Sequence, residues 1–287
     1  MNQGRQYILA AAVLWSLSGV ITKSLALDGL TIAFYRGLFA GLVLLPFLPR
    51  LSWTFRPVMI PLGLVFGAMT GLFLASMKAT TAANSIYLQY TAIFWVVPLS
   101  FLFLRERPDR RALGGIFLAM LGIAVIVRYG HSGLPDEWKG ILLGLASGLA
   151  YAAVITGMRG LRGVDSVFLS AINNLLGAAA LGAWITSTTG PPILPSPSQT
   201  LALIAFGTVQ MAIPYILFAR GLRTVSASEA GLITLIEPIL NPVWVALLAH
   251  ELPSPPTIAG GLLLLSGVTL RYLPFPRNKK PTANPFD

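Results

Sequence analysis

Ten stretches of this chain are apolar for long enough to cross a lipid bilayer, and that property decides most of what it can fold into. A helix crossing about 30 Å of hydrocarbon needs about 20 residues. Such runs occur at 7–27, 29–48, 57–77, 80–104 and 112–127, and again at 140–158, 166–187, 200–219, 227–249 and 257–270. The connections, such as 49–57 and 190–198, are short and rich in Pro, Arg and Gly, and none is long enough for a soluble domain. Only 10% of residues are charged, against about a quarter in a soluble protein. A chain this apolar cannot cover its surface with polar groups, so its solvent is lipid. The expected fold is all-α and integral to the membrane, with ten transmembrane helices. Residues 275–287 are expected to form a disordered cytoplasmic tail.

The charges that remain test this threading. With the N-terminus in the cytoplasm, fifteen Lys and Arg fall on the inside, from Arg5 through the cluster around Arg105–Arg111 to Lys280. Three, Lys78, Arg128 and Lys139, fall outside, while Lys23 and Arg36 lie within spans. One missed helix would swap every later loop, so the bias supports the helix count and puts both termini in the cytoplasm of a bacterial-type inner membrane. The net charge of +10 is therefore a topology signal, with no nucleic-acid partner expected. Ser24-x-Ala26 resembles a signal-peptidase site, but the apolar region before it is too long and Lys23 interrupts it, so the first helix is expected to stay uncleaved.

The residue inventory narrows the chemistry. There is no cysteine and there are only two histidines, His131 and His250, which removes thiolate catalysis and disulfides and leaves no metal site expected. No G-x-x-x-x-G-K-[ST] occurs, so direct nucleotide drive is excluded and no cofactor is expected. An enzyme is not expected, for want of a usable His pair or Ser–Lys or Asp–Asp pair.

The two halves repeat one another. At an offset of 145, Lys78 meets Arg223, Glu106 meets Glu251, Gly115 meets Gly260 and Gly122 meets Gly267; earlier segments match near an offset of 136, with Trp15 over Tyr151 and Gly41 over Gly177. Residues 1–130 and 137–274 would each hold five helices, and an odd number inverts the second copy. Inverted repeats provide two arrangements, each open to one side, around a site near the midplane.

The chain resembles EamA-type members of the drug/metabolite transporter superfamily over nearly its whole length. The resemblance rests on Trp15 in an early apolar helix and on Leu235-Ile236-Glu237-Pro238 followed by Glu251. It rests also on the Glu, Gly-Gly, Gly rhythm of both halves: Glu106, Gly114-Gly115, Gly122 and Glu251, Gly260-Gly261, Gly267. One departure is Ile93, where the family often has proline; here the proline falls at Pro98, which would displace any bend. The resemblance implies a ten-helix carrier with a central cavity built mainly from helices one, three, four, six, eight and nine. It implies transport of amino acids, metabolites or drugs, with an amino-acid exporter of the YddG kind preferred by analogy. A passive channel or facilitator, or a multidrug or other metabolite carrier, is the competing reading. The expected partners are a small-molecule substrate and the bilayer; oligomeric state is open and compatible with a monomer.

Charges inside lipid are expensive and mark function, which singles out Lys23, Arg36, Glu229 and Glu237 as candidate coupling or gating groups. Glu237 stands near the midplane before Pro238 and Pro242, whose missing N–H groups free carbonyls upstream. It reads as cavity lining, proton coupling, or a structural carboxylate with a basic partner. Glu229 is expected to reach water or pair with Arg220 or Arg223, and Lys23 to snorkel outward. Arg36, about 12 Å deep, is expected to face the protein interior. Glu106 and Glu251 read as loop-closing or capping residues. Trp15, Ser16, Ser18, Tyr87, Tyr90, Asn173, Asn174, Gln210 and Tyr215 are candidates to line the cavity, although the two Asn have a second reading as interhelical bonds. Pro98, Pro238 and Pro242 are candidate hinges. Gly115 and Gly122, like Gly260 and Gly267, each define a stripe for close helix packing.

Because the chain lacks cysteine, a single one introduced beside Gly190 is a clean topological probe. It should react with a membrane-impermeant maleimide from outside intact cells; labelling only after permeabilisation would overturn the threading.

Overall fold

The computed structural model describes residues 3–48, 55–105, 110–131, 133–161, 163–190, 192–225 and 227–272. Glu106 and the tail 275–287 lie outside the described residues. Regular structure among the described residues is helical: α1 (Gln3–Ser24), α2 (Gly29–Phe47), α3 (Met59–Ala79), α4 (Ala82–Phe103), α5 (Arg110–Tyr129), α6 (Glu137–Gly160), α7 (Ser166–Thr188), α8 (Pro197–Gly221), α9 (Glu229–Leu248) and α10 (Pro255–Tyr272). Eight are long and apolar enough to cross a membrane. α5 and α10 offer shorter apolar stretches, Gly114–Tyr129 and Pro255–Leu270. Of the ten spans expected from the sequence, eight reach that length among the described residues.

The starts follow from local chemistry. Asp28 accepts from the amides of Leu30 and Thr31 at the head of α2, and Asp165 from Val167 and Phe168 at the head of α7. Ser196 and Gln199 form a reciprocal capping box at α8, which opens on Pro197. Each satisfies backbone donors that a helix N-terminus leaves bare.

α3 packs against α6 and α7, α2 against α7, α1 against α8, and α4 against α6, while α5 and α10 run along one another. Helices in lipid have no hydrophobic drive toward each other and depend on close contact. Glycine permits it at the crossings. A Cβ on Gly67 of α3 would lie 2.7 Å from the Cα of Gly177 on α7. Between α5 and α10 the approach is reciprocal: a Cβ on Gly122 would strike the carbonyl of Gly260, and one on Gly267 the carbonyl of Gly115. The four glycines expected to pack do so.

Several helices are interrupted where they pass the centre. α1 breaks at Ser16–Leu17, α4 at Tyr90–Thr91 and α9 at Leu235, and α8 contains a π segment, Phe206–Ala212. At each of the three breaks a hydroxyl bonds the carbonyl three residues back: Ser16 to Val13 at 2.6 Å, Thr91 to Leu88 at 2.6 Å and Thr234 to Gly231 at 3.0 Å. Such back-bonding competes with the helical ladder. Pro238 adds to the effect in α9, since it cannot donate to the Thr234 carbonyl, and Pro214 does the same for Gln210 at the end of the π segment. The α4 break lies well before Pro98, which sits exposed within an unbroken helix. Thr91, not the proline, marks the bend.

The two ends of the bundle differ. At one, Arg5 pairs with Glu229, and Gly4 lies against Gly221. At the other, Lys23 meets Glu251 at 2.6 Å and donates to the Thr80 carbonyl at 2.8 Å, while Glu251 accepts from the Ala82 amide at 2.7 Å. Asn84 adds bonds to the Gly130 carbonyl and to Thr257, at 2.9 and 2.8 Å. This network ties α1, α3, α4 and the α9–α10 connection together.

Adding one methyl group at two glycines separates packing from propensity. Gly267→Ala, meeting the Gly115 carbonyl, should cost about 1–3 kcal/mol and lower the melting temperature in detergent. Gly114→Ala, with nothing within 4 Å, should be neutral or stabilise by about 0.5–1 kcal/mol. Equal effects would show that the seam is loose.

Candidate functional site

A cavity of about 320 Å³ lies among α1, α2, α3, α4, α6, α7, α8 and α9. Sequence reasoning placed six of these helices around it. α2 and α7 join through Arg36 and through Ser166 and Ser170.

Two charged side chains line it. Arg36, on α2, is 3% exposed. Its Nη1 donates to Gln210 Oε1 at 3.4 Å, and its guanidinium carbon stands 5.2 Å from the Phe206 ring centre. The Nε of Arg36 has no partner, and neither does the hydroxyl of Ser170. Glu237, on α9, is the one carboxylate among the lining residues, and its Oε2 accepts from the Tyr90 hydroxyl at 3.5 Å. Tyr215 on α8 lines the cavity beside them.

The breaks in the helices build this polar wall. Gln210 lies in the π segment of α8, and its Nε2 donates to the carbonyl of Trp15, the residue just before the α1 break, at 3.0 Å. One amide thus joins Arg36 to a backbone group that the interrupted helix leaves open. The break is held from the other side too: Trp244 Nε1 donates to Ser16 Oγ at 2.9 Å, and Asn241 Nδ2 to Ser18 Oγ at 2.9 Å. Trp15 itself packs against Tyr215 and Phe218, with ring centres 5.4 and 5.3 Å apart. The facing wall is different. Phe66, Met69 and Phe73 from α3, with Val154, Ile155 and Met158 from α6, make it largely apolar beside Thr70 and Tyr151.

Of the expected lining residues, Trp15, Ser18, Tyr90, Gln210, Tyr215 and Glu237 meet in this cavity, together with Arg36. Ser16 is buried beside it in the α1 break. Tyr87 instead packs over Gly261 of α10. Asn173 and Asn174 are buried in α7, outside the lining; Asn174 donates to the Ser170 carbonyl, while neither side-chain atom of Asn173 has a partner. Pro238 and Pro242 are buried in α9.

Three charges find their partners far along the chain. Lys23 does not snorkel to water; its side chain is 15% exposed and paired with Glu251, because α9 ends directly opposite. Glu229 reaches water as expected, its side chain 36% exposed, and pairs with Arg5. Glu251 does cap a helix, but it is the distant N-terminus of α4. Sequence reasoning missed Arg36's contact with Gln210 and the individual residues that α3 and α6 turn to the cavity, since apolar residues in apolar helices carry no mark of which face looks inward.

Comparison with known proteins places this architecture. The EamA-like transporter family matches twice in succession, over residues 3–128 and 138–273. An uncharacterized transporter of Archaeoglobus fulgidus is 29% identical, covering 95% of this chain and 97% of its own length. The uncharacterized inner membrane transporter YicL of Salmonella typhimurium is 25% identical, covering 94% and 95%. A solved crystal structure superposes with a TM-score of 0.65 over 93% of this chain and 96% of its own, at 18% identity, and so bears on the fold alone.

Gln210 is the residue on which the polar wall turns. Gln210→Leu preserves bulk but strips a partner from both Arg36 and the Trp15 carbonyl, and should destabilise the protein by about 1–3 kcal/mol. An unchanged melting temperature in detergent would show that the junction between α1 and α8 is held by other contacts.

Proposed function

We propose that this chain, which belongs to the EamA-like transporter family of the drug/metabolite transporter superfamily, exports small zwitterionic solutes of amino-acid type by alternating access. The broader role is given by its family: it is a multi-pass membrane transporter. The observation that carries the finer reading is a cavity with an arginine and a glutamate in its lining and an apolar wall beside them. Arg36 presents a fork that suits a carboxylate, and Glu237 accepts from an ammonium. At about 320 Å³ the space lies at the lower end of ligand pockets, about 300–1,000 Å³, which suits a metabolite rather than a large drug.

The access path supports the same reading. Lining residues continue to Met158, Ser166 and Leu222 at the end where Arg5 and Glu229 meet, and stop short of the Lys23–Glu251 network. If the positive-inside bias sets orientation, this state is open to the cytoplasm and latched outside. Two inverted five-helix units, 1–130 and 137–274, would supply the opposite state. The double family match favours that division, and the offset of 145 carries the α4 break at Tyr90 onto the α9 break at Leu235. The same offsets carry Lys23 onto Arg159 and Glu251 onto Glu106, so the repeat brings the same pair of charge signs to the other half. Exchange between two states requires that solute bind both and that neither be much preferred.

Glu237 is the residue we assign to proton coupling. In proteoliposomes, unlabelled amino acid inside should accelerate uptake of labelled amino acid, and a pH gradient should drive accumulation that Glu237→Gln loses. Absence of trans-stimulation across the amino-acid panel would make the protein a passive conduit. Retention of pH dependence in Glu237→Gln would remove the coupling role.

A further inference from the structure

A second and larger space, about 690 Å³, lies on the opposite face of α3. It shares no lining residue with the transport cavity, and α3 is the wall between them: Phe66, Met69 and Phe73 face one, Leu64, Ala68 and Ala75 the other. α6 and α7 form its sides through Leu143, Leu181 and Trp184. From Leu64 to Lys78 the groove follows α3 for about 21 Å at 1.5 Å per residue, close to the depth of one leaflet with its headgroup zone. Along that length it is apolar. Polar groups appear only at the end where Lys23 and Glu251 meet, and there the groove carries Asp28, Lys78, Asp136 and Lys139.

We infer that this groove is a binding site for one phospholipid with a primary-amine headgroup, an ethanolamine lipid, in the leaflet at the latched end. Its chain would lie on the small residues Ala68 and Gly71, and Trp184, 60% exposed, sits where an interfacial indole belongs. The mouth matches the headgroup in sign, with two groups of each charge to its one. Lys78 and Lys139 face the phosphate, and Asp28 and Asp136 face the ammonium. Lys78 spends one N–H on the Leu25 carbonyl and retains two. Asp28 caps α2 through Oδ1 only, so Oδ2 is uncommitted by that cap. A mouth with two positive and two negative groups gains nothing from a net anionic lipid, and a choline headgroup has no N–H to donate. A helix from another copy, about 10–12 Å across, would bring no such paired charges. Lipid seated here presses on the helix whose other face lines the transport cavity, so occupancy would hold α3 in the state described.

The test reads lipid, not transport, and so stands apart from the proposed function. The full-length protein in detergent is offered an equal mixture of ethanolamine, glycerol and choline phospholipids and examined by native mass spectrometry. One ethanolamine lipid should be retained per chain. Ala68→Phe, at an exposed position that fills the groove, should lower that occupancy at least about tenfold while leaving the melting temperature of the lipid-free protein unchanged. Asp136→Asn with Lys139→Gln should bring ethanolamine and glycerol lipids to parity. Preference for the glycerol lipid, equal retention in Ala68→Phe, or a two-chain mass abolished by Ala68→Phe would each overturn the proposal, the last by making a second copy the occupant.

Discussion

A polypeptide inside hydrocarbon has no water to bond its amides and carbonyls, so every interruption of a helix must be answered by another group of the protein. That requirement organises this molecule. Breaks in α1, α4 and α9 each carry a serine or threonine that takes up a carbonyl one turn back. The carbonyl of Trp15 is met by Gln210 from the π segment of α8. An irregular backbone at membrane depth is tolerated where it is buried in protein or borders a cavity, and here the irregularities border one.

The polar groups are distributed unevenly about that cavity. If α1 and α8 are repeat counterparts of α6 and α3, the pseudo-symmetry is broken chemically as well as geometrically. α1 and α8 are interrupted and, with α2 and α9, contribute the Trp15 carbonyl, Gln210, Arg36 and Glu237. α3 and α6 run uninterrupted and present mainly Phe, Met, Val and Ile, with Thr70 and Tyr151. The cavity is amphipathic, which on the proposed reading suits an organic ion with a hydrocarbon part. Glycine seams make the arrangement possible, because α3 and α7 touch through Gly67 and Gly177 and leave α3 free to wall two spaces at once.

Much of this was legible in the sequence, and the rest fails for definite reasons. Spans follow from hydropathy, since lipid imposes one requirement on every residue of a run. Gly122 and Gly260 were legible because a repeated small residue has few other uses. Glu237, Gln210 and Trp15 stood out because a polar or large aromatic group in an apolar helix is costly or conspicuous. What could not be read was pairing over distance. Lys23 and Glu251 stand at opposite ends of the chain, and nothing in either neighbourhood names the other. The α4 bend was misplaced because proline is a louder signal than threonine, although Pro98 sits in an unbroken helix while the Thr91 hydroxyl bonds backward. Thr70 shows why such hydroxyls are weak signals: it bonds the Gly67 carbonyl at 3.0 Å within an uninterrupted helix.

On the proposed alternating-access reading, the chemistry of the latched end suits a contact that has to open and close. An apolar plug there would gain free energy in proportion to buried area, at about 25 cal/mol per Å², and a wide one would lock the molecule in a single state. Lys23 and Glu251 behave otherwise. Both remain partly exposed, at 15% and 24%, so much of what they gain from each other they regain from water on parting. Their bonds to the Thr80 carbonyl and the Ala82 amide add direction, since both partners flank the turn between α3 and α4. The closure is therefore specific in geometry and modest in free energy. On the proposed reading, a solute with a small difference in affinity between the two states would be enough to tip the balance.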